Sequence, residues 1–109
     1  MKKIKILRYF TDLKRIRSVK NREKLKRIIA GMSSDILKCF QECAVNLLQQ
    51  NVPVEPREFS NLKKNQSSIR KLGKRSKLSN NKIRRILLQD PSLLRFLLDP
   101  VLRMFDEIV

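Results

Sequence analysis

The segment from Ser34 to Gln50, SDILKCFQECAVNLLQQ, constrains this chain most. Its apolar residues Ile36, Cys39, Phe40, Cys43, Ala44, Leu47 and Leu48 recur at intervals of three and four, which gathers them into one stripe on an α-helix. Ser33 or Ser34 can accept a hydrogen bond from a free first-turn N–H, and Asp35 suits the positive end of the helix dipole. Lys38 is the one base in the segment, although the chain holds 26 Lys and Arg. An apolar helix therefore stands between two cationic stretches, which have to fold around it.

The cover it can find is helical. A chain of 109 residues builds one small domain, and 41% hydrophobic residues suffice for a modest core. Alternating β-branched runs and hairpin dipeptides are missing, and there are only two glycines. These features predict an all-α fold, a bundle of four to six short helices around a central helix at about residues 34–50. Residues 1–89 form its basic helical domain and residues 90–109 an apolar, Leu-rich tail.

Upstream, Ile6, Phe10, Leu13 and Ile16 mark one or two basic amphipathic helices, with a break at residues 18–21. Asn21 is placed to cap a short helix bearing Leu25, Ile28 and Ile29, which Gly31 ends. Downstream, Asn51-Val52-Pro53 closes the central helix, and Pro56 suits the first position of the next. Phe59, Leu62, Ile69 and Leu72 form a thin stripe ending at Gly73, and Ser79 caps a helix bearing Ile83, Ile86 and Leu87. Asp90-Pro91 then opens SLLRFLLDPVLRMFDEIV, which Pro100 is expected to break or kink into two short helices. A tail this apolar demands cover from its own domain, another subunit or lipid.

Charge narrows the function. Twenty-six bases face ten acids, a net charge of +16. The excess lies in two blocks, with twelve bases against two acids over residues 2–30 and eleven against two over 51–88. Such repulsion is useful only beside a polyanion, nucleic acid first and an anionic membrane second. With no helix-turn-helix signature and no aromatic platform, the contact expected is with duplex phosphates, blind to sequence. The residues expected to make it are Lys14, Arg15, Arg17, Lys24, Arg27, Lys63, Lys64, Arg70, Lys71, Lys74, Arg75, Lys82, Arg84 and Arg85. Tyr9 and Phe10 read as core, not as a base-stacking pair.

Catalysis is not expected. The chain has no His, its acids are scattered or at caps, and no glycine loop could cradle a phosphate. Asp106-Glu107 reads as a solvated last turn. No cofactor or metal is expected, since Cys39 and Cys43 lack companion ligands. Their i, i+4 spacing is too wide for a disulfide, so they read as small buried hydrophobes in a reducing intracellular compartment. Neither a signal peptide nor a membrane span is expected.

A resemblance adds to this reading. The run SSDILKCFQECAVNLLQQNVPVEPREFSNLKKNQSSIRKL, then KLSNNKIRRILLQ and LLRFLLDPVL, resembles small basic proteins of Maverick/Polinton-type elements and the adenovirus-like adintoviruses. It covers roughly residues 33–102 and rests on Glu42, Cys43, Ala44, Asn46, Leu48, Asn51, Pro53, Leu62, Lys63, Ile69, Leu72, Leu87, Leu88 and Gln89. Relatives often carry Gly-Gly after that Gln, suggestive of viral protease cleavage, whereas Asp90-Pro91 stands here, so release of the tail does not carry over. Asn65, Gln66, Ser67 and Ser68 also dilute a helix expected to be richer in Lys. The resemblance implies a structural or virion-core protein that condenses double-stranded DNA, in the virion or the host nucleus. The rival is a membrane-active or capsid-lining protein that sets its first helix and tail on anionic membrane or capsid protein. A third possibility is a homo-oligomer formed through residues 91–109.

Overall fold

Helix starts follow the caps in the sequence. In the computed structural model, which describes residues 3–73 and 78–108, Asn21 Oδ1 accepts from the Lys24 N–H at 2.9 Å. Ser33 Oγ accepts from Ile36 and Ser79 Oγ from Lys82, each at 3.3 Å. Pro56 occupies the first turn of its helix, where a missing N–H costs nothing, and Glu58 reaches back to the Glu55 N–H at 2.9 Å. The elements are α1 (Lys3–Arg8), α2 (Phe10–Ser18), α3 (Arg22–Ala30), α4 (Ser34–Leu48), α5 (Pro56–Lys64), α6 (Gln66–Leu72), α7 (Asn80–Gln89) and α8 (Leu93–Ile108).

The architecture is all-α, and among the described residues it has eight helical segments rather than four to six. Two of the extra segments come from short interruptions. Tyr9 (ψ 16°) separates α1 from α2, and Asn65 (φ −108°, ψ 18°) separates α5 from α6. Asn65 also turns its side-chain amide to the Asn61 carbonyl at 2.8 Å, the local competition with backbone pairing that makes Asn a poor interior helix residue.

The central helix is α4, and it packs on α1, α6, α7 and α8. Ile36, Cys39, Phe40, Cys43 and Ala44 are buried as the periodicity requires. Leu37 and Asn46 are buried as well, so α4 is covered on more than one side, while Leu48 at the end of the stripe stays 39% exposed. Asn46 is satisfied, its Nδ2 donating to Glu42 O at 2.8 Å and its Oδ1 accepting from Asn51 Nδ2 at 3.1 Å.

Helix α8 closes the core. Leu93, Leu94, Leu97, Leu98, Val101, Leu102 and Phe105 are buried, and α8 packs on α4, α2 and α5. One hydrophobic cluster thus runs through both the basic segment and residues 90–109. Phe10 meets Phe105 edge to face with ring centroids 6.2 Å apart. The expected break at Pro100 does not occur, because helix continues through it. Proline removes one intrahelical hydrogen bond, but Leu97, Leu98, Pro100 and Val101 are all buried, and that packing keeps the helix continuous.

Both glycines stand at helix ends, yet neither has a positive φ (Gly31 −99°, Gly73 −90°). The left-handed residue is Gln50, at φ 58°. Gln50 N–H donates to Leu47 O at 3.2 Å and Asn51 N–H to Asn46 O at 2.9 Å, which is the Schellman closure with Gln where Gly is usual. Gly73 serves a different purpose. A Cβ there would lie 2.6 Å from Leu48 Cδ1 and 3.3 Å from the Ala44 carbonyl carbon, so its bareness lets the end of α6 approach α4.

Candidate nucleic-acid interface

The bases divide by what their helices give them as partners. On α2, α5 and α8, acids sit among the bases and some pair across the seams, while Arg57, Lys63, Lys64 and Arg95 have no ion-pair partner among the described residues. Lys14 Nζ is 3.0 Å from Asp106 Oδ1, and Arg17 Nε bonds to Asp99 Oδ1. Arg103 Nη2 reaches Glu58 Oε1 at 2.5 Å and Pro53 O at 2.9 Å, while its Nε lies 3.4 Å from Glu55 Oε1. Arg15 stands 4.0 Å from Asp12. The Lys14, Arg17 and Arg103 pairs fasten α8 to α2 and to α5, whereas Arg15–Asp12 lies within α2.

The helices α3, α6 and α7 differ. Together they carry Arg22, Lys24, Lys26, Arg27, Arg70, Lys71, Lys82, Arg84 and Arg85 against one acid, Glu23, which pairs with Lys26 at 3.6 Å. Helix α7 packs on both α3 and α6, so these cations belong to adjoining surface. Lys24, Arg27, Arg70, Lys71, Lys82 and Arg85 are exposed. Local structure presents them: the buried Ile29, Ile69, Leu72, Ile83 and Leu87 fix the inward sides of the three helices. Unscreened bases on neighbouring helices raise the local positive potential and suit phosphate oxygens, Arg in two-pronged fashion.

Several expected phosphate contacts stand elsewhere. Arg84, expected among the phosphate contacts, is engaged within the molecule. Its Nη2 donates to Met32 O at 2.9 Å and its Nε to Ile29 O at 3.3 Å, while Nη1 meets Asn81 Oδ1 at 3.3 Å. All three guanidinium nitrogens are engaged, and the side chain caps the C-terminal end of α3 from α7, a cation at the negative end of a helix dipole. Arg17 is held by Asp99 with both side chains about one-third exposed, so it too is a strut. Lys14 and Arg15 are exposed but beside acids, and Lys14 also covers the Phe10 ring at 4.6 Å. Lys63 and Lys64 are exposed in the last turn of α5, at the favourable end of its dipole. Lys74 and Arg75 lie outside the described residues.

The sequence missed the acids' distribution, since their partners are remote along the chain. Only the absence of Asp and Glu from 66–89 signalled the cationic side. Tyr9 is tied down by donating its phenol proton to Asp35 Oδ2 at 2.8 Å, and that bond, with the nearby carboxylate charge, raises its pKa. Burial, assisted by Cys39 and Glu42, pushes the Cys43 thiol up. Among the described residues no group of three His, Cys, Asp or Glu could hold a metal, and no helix is long and apolar enough to cross a membrane. Comparison of the chain with models of protein families, with curated proteins and with solved structures finds no match.

Proposed function

We propose that the chain binds double-stranded DNA without regard to sequence, through phosphate contacts from α3, α6 and α7. The observation that carries this reading is the uneven distribution of charge: α3, α6 and α7 carry nine bases against one acid, and seven exposed bases there, Arg22 among them, have no ion-pair partner among the described residues. Lys24, Arg27, Arg70, Lys71, Lys82 and Arg85 are the contacts, and Arg17 and Arg84 are withdrawn from that set. The role is structural and not catalytic, a DNA-condensing protein of a virion core or host nucleus as the resemblance implies. The membrane-active alternative loses support because the apolar residues of α8 that would enter lipid line the core.

The test is a salt titration of binding to random-sequence duplex, followed by fluorescence anisotropy. Six neutralised phosphates give a slope of log K against log salt of about −5. Replacing Arg70 and Lys71 by Ser reduces that slope by about 2, whereas replacing Lys14 and Arg15 leaves it unchanged. A slope near zero, or equal losses from both pairs, refutes the proposal.

A further inference from the structure

Beside the cationic side lies a groove of about 550 Å³ between the end of α4, the connection after it, and α5 and α6. Three of the four exposed large hydrophobic side chains, Leu48, Val54 and Phe59, line it, and Phe59 is 58% exposed although it stands mid-helix on α5. Leu62 and Ile69 form the floor. The lining includes no acid, and Lys63 is its one charged group, without an ion-pair partner among the described residues. The acids of α5 are turned away, Glu58 and the neighbouring Glu55 being held by Arg103 of α8.

From this we infer that the groove docks an amphipathic helical segment of a protein partner, apolar on the face that meets Phe59 and acidic at the edge that meets Lys63. Charge complementarity selects this occupant. A second copy would bring another +16 to the same place, whereas an acidic segment is drawn by the whole molecule and by Lys63 in particular. A projecting aromatic ring beside an apolar floor has the form of an interface anchor. The inference goes beyond the DNA reading and leaves Lys63 out of the phosphate contacts.

A short labelled peptide with Leu along one helical face and Glu along the other tests it, against a scrambled peptide of the same composition that has no apolar face. With the full chain at physiological salt, anisotropy should show the patterned peptide bound at least about ten-fold more tightly than the scramble. Phe59→Ser should abolish that difference while duplex binding is unchanged, and Lys63→Glu should weaken the patterned peptide. Because Phe59 is largely exposed, the Ser variant keeps its fold, which circular dichroism verifies. Equal binding of the two peptides, or an indifferent Phe59→Ser, overturns the proposal. So does a dimer in light scattering that Phe59→Ser dissolves, or binding to anionic phospholipid vesicles that this substitution alone removes. Loss of duplex binding with the peptide preference intact would count against the DNA reading only.

Discussion

Replacing Arg84 and Arg85 by Met, one at a time, sets two adjacent arginines against each other. Arg84 ties α7 to the end of α3 through Met32 O at 2.9 Å and Ile29 O at 3.3 Å. The first is a well-formed bond from a charged donor and the second lies beyond the ordinary range, so one strong bond dominates the loss. Ile29 O keeps the Met32 N–H at 3.2 Å, and Met retains most of the aliphatic packing of the arginine stem. The cost of Arg84→Met is therefore about 2 kcal/mol, which for a chain of this length lowers Tm by about 8 °C. Arg85 is exposed, and its replacement should change stability by less than about 0.5 kcal/mol. In duplex binding the roles reverse, with the salt slope reduced by about 1 for Arg85→Met and unchanged for Arg84→Met. Thermal unfolding by circular dichroism and the anisotropy titration read both quantities. Equal stability of the two variants, or a slope that falls for Arg84→Met and not for Arg85→Met, would refute the division of labour.

Gly73→Ala places a Cβ 3.2 Å from Ile69 O and 3.3 Å from Ala44 backbone, which cannot yield as the Leu48 tip can, so unfolding should show a loss of about 1–2 kcal/mol. Gly31→Ala meets nothing closer than Arg27 O at 3.7 Å and should be neutral or gain up to about 1 kcal/mol. The Cys39 and Cys43 thiols, buried and for Cys43 raised in pKa, should resist a thiol reagent at neutral pH and react only after denaturation. Tyr9 should ionise above its ordinary 10.0 in an absorbance titration and return towards it in Asp35→Asn. Since the folded state holds that proton more tightly, the bond's contribution to stability is present below pH 10.0 and fades as pH rises through the raised value.

Much of the fold was legible where the signal was local. The α4 stripe, the caps Asn21, Ser33 and Ser79, and Pro56 at a helix start all follow from chemistry acting over three or four residues. The divisions at Tyr9 and Asn65 were not legible, because a single altered ψ leaves no mark on apolar spacing. Pro100 misled because its cost is local and its compensation, a buried surface shared with α2, α4 and α5, is tertiary. In the candidate interface, exposure could be guessed for Lys24 and Lys82 from the helical pattern. The fate of Arg84 could not, since Ile29 and Met32 lie 55 and 52 residues away along the chain. Arg17 was hidden for the same reason, its partner Asp99 being 82 residues distant.

The placement of the acids also makes the molecule a pointer. With nine bases against one acid on α3, α6 and α7, and most of the carboxylates elsewhere, the uneven distribution gives it a permanent electric moment in addition to its net charge. In the field of any strongly negative surface it experiences a torque before contact and arrives already turned. That alignment shortens the rotational search of an encounter and weakens as added salt shrinks the reach of the field, to roughly 8 Å at physiological ionic strength.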